Sequence, residues 1–215
     1  MGSNHLWPMF DLRLTTHDLE LRHLTEADLA GLATILPPDA EQDPSLPSYS
    51  GLDDDRNREV AVHQDYWRAR GNWRPASWAL SFAVFRDGEL VGHQGLEGED
   101  FPRLRTVDSS SFLTGAARGR GFGKQMRAAV LTLAFGGLGA RFAITSAWTD
   151  NVASLGVSRA LGYTPNGVTL QPRGETVGEM THLRLTREQW LTSGWADHVV
   201  VAHLDDCMPF FGLDR

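Results

Sequence analysis

The sequence predicts a single domain of the α/β class. Segments with the alternating apolar pattern of strands are interleaved along the chain with segments of helical periodicity. One pair of strands has a clear hairpin signature, and no internal repeat or low-complexity linker divides the 215 residues. We therefore expect one domain over residues 1–215, with a core at about residues 12–190 and a C-terminal tail at residues 191–215.

The N-terminal part of the chain predicts two strands followed by a helix. Residues 12–16 and 19–24 alternate apolar with polar side chains, which is typical of strands with one buried face. Thr25 has the character of a helix N-cap, and Asp28 stands three residues later as its capping-box partner. We expect this helix to end at about residue 36, before a pair of prolines.

A long loop and a second helix follow. Residues 37–55 contain four prolines and six acidic residues, too many helix breakers for a regular element. A loop of this length is either a binding or lid segment or a solvated excursion from the surface, and the sequence leaves both open. Residues 56–70 then predict a second, shorter helix.

The middle of the chain contains the hairpin. Residues 78–85 form an aromatic and β-branched run, Asp87 and Gly88 form a tight turn, and residues 89–96 return antiparallel. Residues 106–114 predict a further strand that runs directly into a glycine-rich turn.

The C-terminal half predicts two helices, two strands and the start of a third helix. Asp150 and Asn151 are expected to cap one of these helices, with Gly162 just after its end. In chain order, the elements are a helix at 125–138, a strand at 141–148, a helix at 152–161, a last strand at 179–185 and a helix beginning at 186.

Composition limits the class of protein. The net charge of -7 and the pI near 5.6 argue against a nucleic-acid partner bound through a broad basic surface. Cys207 is the single cysteine, so no intramolecular disulfide can form. We see no signal peptide, and the longest uncharged stretch, residues 128–140, is shorter than the roughly 20 residues of a membrane span. We expect a cytoplasmic protein without a membrane partner.

The glycine-rich turn is the strongest functional signal. Its alternating glycines allow close approach of a ligand to the backbone, and its helix start and three cationic side chains suit a diphosphate. The alternative is a plain strand-to-helix turn. A P-loop is excluded because Arg118 stands where its first glycine belongs, and the dinucleotide fingerprint fails because its third glycine comes one residue early. The turn reads Arg118, Gly119, Arg120, Gly121, Phe122, Gly123, Lys124.

This turn and the strand before it resemble the acetyl-coenzyme A motif of the GNAT N-acetyltransferase superfamily. Residues 12–28 resemble the opening of the branch that contains ribosomal-protein N-terminal acetyltransferases. Residues 151–154 and 160–163 resemble the second coenzyme A motif of that branch. The resemblance implies a central, mostly antiparallel sheet that is splayed at an acetyl-CoA cleft, with helices on both faces.

The resemblance also implies residues that bind the cofactor. Backbone groups around Phe112, Leu113 and Thr114 would pair with the pantetheine amides, and the turn residues named above would hold the diphosphate. Asn151 would contact the pantetheine arm, and Ser154 would lie near the cofactor sulfur. The alternatives are a simple N-cap for Asn151 and a solvent-facing helix position for Ser154.

Direct acetyl transfer requires a base for the amine and a proton donor for the leaving thiolate. Ser154 is the first candidate for the donor and Tyr163 is its rival, although Tyr163 could equally be a core residue. For the base, the acidic cluster after the hairpin offers Glu97 first and Asp100 second, with an acidic surface loop as the alternative. Family members often carry a glutamate shortly after the residue that matches Tyr163, but residues 164–167 contain no carboxylate.

We therefore expect an acetyl-CoA-dependent N-acetyltransferase whose acceptor is a primary amine, with a small molecule favoured over a protein N-terminus or lysine. An acyl-CoA-binding module without catalysis is the alternative from another class. The eight histidines show no metal-ligand spacing, so we expect no metal. Trp67 and Trp73 could line the acceptor pocket. The sequence leaves open whether the chain forms a homodimer.

Overall fold

A computed structural model describes residues 6–38, 40 and 47–213. Within these residues ten strands form one sheet, interrupted along the chain by helices. The strands are β1 (Arg13–Thr15), β2 (Glu20–His23), β3 (Trp78–Arg86), β4 (Glu89–Gly98), β5 (Thr106–Asp108), β6 (Ser111–Leu113), β7 (Phe142–Trp148), β8 (Thr164–Arg173), β9 (Thr176–Thr186) and β10 (Val200–Ala202). The helices are α1 (Glu26–Ile35), α2 (Asp54–Gly71), α3 (Phe101–Leu104), α4 (Phe122–Thr132), α5 (Val152–Ala160) and α6 (Arg187–Leu191).

The sheet is mostly antiparallel, as the resemblance implies. Its strand order is β10-β1-β2-β3-β4-β5-β7-β9-β8, and β6 pairs with β4 beside this path. The one parallel pairing among the described strands joins β5 to β7. Helices cover both faces: one apolar cluster packs α4 and α5 on one side, and a smaller cluster packs α1 and α2 on the other. The expected mixed α/β fold is confirmed.

The predicted strand at residues 106–114 is two strands rather than one. Β5 ends at Asp108, and β6 begins at Ser111 after a break of two serines. A short 3-10 helix, Gly115–Ala117, then separates β6 from the glycine-rich turn, so the strand does not run into the turn directly.

Three helix predictions differ from the structure. Helix α2 begins earlier than residue 56 because the Asp53 carboxylate accepts the backbone N–H of Arg56, and with 18 residues it is longer than α1 rather than shorter. Helix α4 begins at Phe122 rather than at residue 125, because Gly121 adopts a positive φ of 84° and caps it. Its expected continuation to residue 138 is instead a π-helical turn, Leu133–Gly137.

Two strands escape the sequence patterns. All ten residues of β8 are exposed, so β8 has no buried face that would produce alternation, and it contains Pro165 and Pro172. Strand β10 has three residues and lies beside β1 at the edge of the sheet. The predicted last strand is therefore followed by one more. Of the loop predicted at residues 37–55, residues 39 and 41–46 lie outside the described part of the chain.

Helix α1 is tied to strand β2 through its capping residues. The backbone N–H of Thr25 donates to Asp28 Oδ2 at 2.9 Å, as the capping-box prediction requires. Arg22 on β2 donates two hydrogen bonds to the same carboxylate, at 2.8 and 2.6 Å. Because these two bonds join both terminal nitrogens of the guanidinium to both carboxylate oxygens, they fix the orientation of the two side chains and also pair their charges. Within the described residues, no helix combines the length and apolar character that crossing a bilayer requires.

His23 is a buried histidine near the N-terminal segment. It is 3% exposed, and the indole N–H of Trp7 donates to its Nε2 at 3.3 Å. Burial, with the positive charge of Arg70 as a further cause, lowers the pKa of His23 from 6.5 to about 4. The imidazole is therefore neutral in the folded protein near pH 7, which its role as acceptor for Trp7 requires.

This histidine predicts a loss of stability in acid. Because the unfolded chain binds the proton near pH 6.5 and the folded chain only near pH 4, the free energy of unfolding should fall as pH drops between these values. His23→Gln keeps an acceptor for Trp7 but cannot titrate. We expect denaturant unfolding of this variant to lose a pH slope of up to about 1.4 kcal/mol per pH unit. The exposed His17, replaced in the same way, is the matched control, and equal slopes in the two variants would contradict the prediction.

Candidate functional site

A cleft opens where β6 and β7 diverge. Strand β5 pairs with β7 as far as Asp108, which lies opposite Ile144. Beyond that point β6 pairs with β4, while the rest of β7 continues along β9. The space between Ser111–Leu113 and the end of β7 is called the cleft below, and its closed end beside Asp108 is called the vertex.

Strand β4 creates this divergence by holding the two serines between β5 and β6. The Ser110 carbonyl accepts the backbone N–H of Gly95 at 2.7 Å and the side-chain amide of Gln94 at 2.9 Å. A Cβ atom on Gly95 would lie 2.5 Å from Ser110 Oγ, so this close approach requires glycine. The backbone at Ser109 and Ser110 therefore stays hydrogen-bonded to β4 and separates from β7.

The edge of β6 that faces the cleft is set by the alternation of backbone groups. The Thr114 N–H donates to the Val91 carbonyl of β4 at 2.9 Å, so the backbone groups of the preceding Leu113 point toward the cleft. The Leu113 carbonyl accepts a hydrogen bond from Arg118 Nε at 3.2 Å. Phe112 lies opposite His93 of β4, and its ring stacks on that imidazole. Of the three residues expected to pair with pantetheine, Leu113 has the matching orientation.

The glycine-rich turn leads from the cleft into α4. Gly119 and Gly121 have φ angles of 74° and 84°, a region that side-chain-bearing residues rarely adopt. Nothing lies within 4 Å of the position of a Cβ on either glycine, so open space lies beside both. The backbone N–H groups of Phe122 and Gly123 begin α4, where no preceding turn offers them a helical carbonyl, and they lie at the positive end of the helix. This arrangement fits a diphosphate.

Cationic side chains lie near the same two glycines. Arg118 and Arg120 are exposed, and Lys124 lies half-buried on the first turn of α4. The guanidinium groups of Arg120 and Arg86 each lie 5.1 Å from the centre of the Phe122 ring. Arg86 ends β3 and is a cation that the sequence patterns do not single out. The charge and the free amides together fit the diphosphate of coenzyme A.

Helix α5 closes the other side of the cleft. Asn151 caps it as predicted, with its Oδ1 accepting the Ser154 N–H at 3.0 Å. Ser154 is half-buried on the first turn. A Cβ on Gly123 would lie 3.2 Å from the Val157 side chain, so the glycine allows α4 and α5 to approach closely.

Tyr163 lies buried behind the cleft. It is 4% exposed and packs in the main apolar cluster, and its hydroxyl lies near Ser109 and Arg127 without a hydrogen bond of normal geometry to either. Burial raises the pKa of Tyr163, and the nearby Arg127 and Ser109 act in the opposite direction. The Tyr163 ring is thus part of the core, and its hydroxyl lies near the vertex. This placement is compatible with both predictions for Tyr163, a core residue and a proton donor.

Two carboxylates meet on neighbouring strands at the vertex. Glu97 on β4 is exposed and lies directly opposite Asp108 on β5. Asp108 accepts the Ser109 N–H at 2.6 Å. Burial raises the pKa of Asp108, and the Ser109 N–H, Arg127 and His182 oppose this rise. Sequence reasoning missed Asp108, because a position inside a strand carries no signal of the break that follows it.

Asp100 has a different environment. It lies beyond the end of β4, adopts a φ of 42° at the start of α3, and pairs with Arg103 at 2.8 Å. The pairing at Glu97 and Asp108 marks the vertex, and Asp100 lies past it along β4 in the direction away from β6. This placement favours Glu97 over Asp100 as a base.

The two tryptophans named from the sequence lie in different places. Trp73 belongs to an aromatic cluster with Trp7, Trp78 and Phe211, and its indole N–H donates to the Phe210 carbonyl at 2.9 Å. Trp67 is 53% exposed on α2 and donates to Glu26 of α1 at 3.0 Å. Across the described ranges, no three histidine, cysteine or acidic side chains converge on a metal position.

Comparison with known proteins agrees with this geometry. The family model described as "Acetyltransferase (GNAT) domain" matches residues 18–164. Mycobacterium smegmatis RimJ in complex with a coenzyme A disulfide is 17% identical, with 87% of this chain and 93% of that chain covered and a TM-score of 0.67. At such identity the likeness to a solved structure shows a common fold.

Two further solved structures share the fold. A ribosomal-protein alpha-N-acetyltransferase, RimL, in complex with coenzyme A is 18% identical, with 80% of this chain and 95% of that chain covered and a TM-score of 0.63. A spermidine N-acetyltransferase SpeG chimera, from Vibrio cholerae and hSSAT, is 13% identical, with 81% and 98% covered and a TM-score of 0.61. Proteins described as acting on ribosomal proteins and on spermidine therefore share this architecture.

The open space at Gly121 predicts a specific effect of adding one methyl group. Gly121→Ala should destabilise the fold by about 1 kcal/mol because of its positive φ, and the methyl group should also weaken coenzyme A binding roughly tenfold. Gly174, which has a φ of 59° and open space around it in the β8–β9 hairpin, is the matched control. Calorimetric titration and thermal unfolding measure the two effects. If both alanine variants bind coenzyme A equally well, the turn does not hold the diphosphate.

Proposed function

The chain belongs to the GNAT family of acetyltransferases and is an acetyl-CoA-dependent N-acetyltransferase, and from this premise we propose that it acetylates the primary amine of a small molecule. Acetyl-CoA supplies an activated acetyl group whose carbon–sulfur bond breaks as the bond to the amine nitrogen forms. The proposed binding residues are the cleft-facing backbone of Leu113, the turn from Gly119 to Lys124, and Asn151 with Ser154 on the opposite side. Phe112, Thr114 and Arg118 complete the proposed set.

The proposal is carried by the pair of carboxylates at the vertex. Glu97 and Asp108 come from adjacent strands, and Val107 beside Asp108 packs in the cluster with α4. Because successive side chains of a strand point to opposite faces, Asp108 projects from the face that α4 does not cover. An ammonium group arriving at this face meets two anionic partners beside the cleft.

These carboxylates supply both recognition and deprotonation. Glu97 is exposed and suits the first capture of a cationic amine, while the partial burial of Asp108 raises its pKa. A raised pKa brings a carboxylate closer to the value at which it holds a proton taken from an amine. We assign the base to this pair, with Asp100 as the second candidate of the sequence.

Two hydroxyl groups are candidates for protonating the leaving thiolate. Ser154 lies half-buried at the start of α5, and the Tyr163 hydroxyl lies buried without a partner. A buried hydroxyl that retains its proton at neutral pH can pass that proton to the thiolate while it takes up a replacement proton from solvent, so that no tyrosinate has to form. This favours Tyr163 as donor and leaves Ser154 as a hydrogen-bond partner of the sulfur.

The choice of a small molecule is supported by the acidic vertex, since an ammonium group can be recognised there by charge alone. The likeness to RimJ and RimL favours a protein N-terminus as the second candidate. A panel of amino acids, polyamines and N-terminal peptides, assayed by thiol release from acetyl-CoA, separates the two. Thiol release with peptides but with no small amine would overturn the proposed acceptor. Absence of thiol release with every member of the panel would favour a module that binds acyl-CoA without catalysis.

Removing either carboxylate at the vertex should slow transfer. Glu97→Gln and Asp108→Asn are each expected to lower kcat roughly 100-fold, the range of general base catalysis, while coenzyme A affinity stays unchanged. Because the base must be deprotonated, kcat/KM should fall as pH drops through the raised pKa of Asp108, and this limb should move in Asp108→Asn.

The exposed neighbour Glu99 provides the matched control for these variants. Glu99→Gln makes the same chemical change two residues after Glu97 and should leave kcat and the pH profile unchanged. Unchanged turnover in both Glu97→Gln and Asp108→Asn would remove the pair as the base.

A further inference from the structure

Arg127 is a buried cation that joins the two strands flanking the cleft. It lies in the second turn of α4 and is 3% exposed. Its Nη1 donates to Thr145 Oγ1 on β7 at 3.3 Å, and its Nη2 donates to Ser111 Oγ on β6 at 3.4 Å. Both bonds are long and go to neutral hydroxyl groups, so they leave most of the positive charge uncompensated.

No carboxylate neutralises this guanidinium directly. In residues 6–38, 40 and 47–213, no acidic side chain forms an ion pair with Arg127 at 4.0 Å or less. Asp108 on β5 interacts with it electrostatically across the vertex. A buried charge without an adjacent counterion is unusual, because removing it from water is unfavourable unless another charge or a ligand compensates.

Unsatisfied polar atoms collect around the same point. Seven buried side-chain atoms of the described residues lack a hydrogen-bond partner, and four of them belong to residues at the vertex. They are Gln94 Oε1, Ser109 Oγ, Arg127 Nε and Tyr163 Oη. The last three can donate, so the cluster presents several donors and a positive charge to one small region. Such a set fits an acceptor atom that carries negative charge.

The position of the cluster indicates which atom that is. This step rests on the proposed function. With the diphosphate at α4 and the pantetheine along Leu113, the cofactor runs along β6 toward Ser111, where the cleft closes. The thioester then lies at the vertex, beside the hydroxyl of Tyr163 and above the guanidinium of Arg127.

We propose that Arg127 is a fixed positive charge that stabilises the coenzyme A thiolate as it leaves. The amine nitrogen bonds to the acetyl carbon, and the Glu97–Asp108 pair takes the amine proton. The carbon–sulfur bond breaks with its electron pair on sulfur, which Arg127 stabilises until Tyr163 gives its hydroxyl proton to the sulfur. Tyr163 takes up a replacement proton from solvent in the same step, so that no tyrosinate accumulates. Arg127 thus favours thiolate departure by charge.

The thiolate absorbance of coenzyme A bound to the full chain tests this proposal without turnover. Titrated against pH and corrected for the protein alone, the bound thiol of the wild type should ionise at lower pH than free coenzyme A. Arg127→Met should lower the thiolate fraction at a given pH by about tenfold, and Arg127→Lys should restore much of it. Cys207, the single cysteine, does not interfere because burial raises its pKa to about 12.

Thr145→Val separates charge from structure, since it removes one hydrogen bond of Arg127 but keeps the guanidinium. It should lower thermal stability and leave the bound thiolate titration unchanged. The proposal is overturned if the wild-type complex ionises no more readily than free coenzyme A, a result that does not depend on whether Arg127→Met folds. It is also overturned if Arg127→Met and the wild type titrate alike.

Two further measurements distinguish failure of the proposed role of Arg127 from failure of the proposed function. Tighter binding of succinyl-CoA than acetyl-CoA, lost in Arg127→Met, would assign the guanidinium to an acyl carboxylate and overturn the thiolate role. If coenzyme A fails to bind at all, the proposed function fails and the inference fails with it. If coenzyme A binds and acetyl transfer proceeds while the thiol titration is unmoved, the inference alone fails.

Discussion

The attachment of Ser110 to β4 determines how the rest of the site is arranged. Strand β4 has a single free edge on this side, and it binds β5 first and then β6 along its length. Because Gly95 and Gln94 hold the backbone between these strands, the chain separates from β7 after Asp108, and β6 pairs with β4 alone. The cleft, the inward orientation of Leu113 and the entry into α4 all follow from this one departure from regular pairing.

Charge is distributed unevenly around the cleft. The chain carries a net charge of -7, yet Arg86, Arg118, Arg120 and Lys124 gather at the start of α4. Acidic side chains occupy the vertex on the opposite face of the sheet. An anionic donor and a cationic acceptor are therefore attracted to different faces and meet where the strands part. The net charge of the chain does not show this arrangement, because the positive charges near α4 and the negative charges at the vertex partly offset each other in the sum.

The sequence predicted those parts of the fold whose local pattern agrees with their burial. The β3–β4 hairpin and α5 with its Asn151 cap follow from alternation, turn residues and capping chemistry. Strand β8 could not be found in this way, because its pairing with β9 leaves every side chain exposed. The glycine-rich turn was found because glycine and charge at short spacing are local features.

The missed site residues depend on tertiary geometry. Asp108 and Arg127 become notable only after the break between β5 and β6 fixes which faces meet at the vertex. Nothing in the helical periodicity of α4 distinguishes Arg127 from a surface arginine, and its burial arises from the diverging strands below it. Glu97, by contrast, was identified as an acid at a strand end, and the structure places it beside Asp108.

The two outer strands of the sheet have a consequence for how copies of the molecule meet. An unpaired strand edge can recruit the edge of another molecule and begin aggregation. Here one margin ends in β10, which is only three residues long, and the other ends in β8, where Pro165 and Pro172 lack the N–H needed to extend a ladder. Both margins are therefore poor templates for strand addition, and the sheet keeps a long exposed hairpin without offering an uninterrupted edge for self-association.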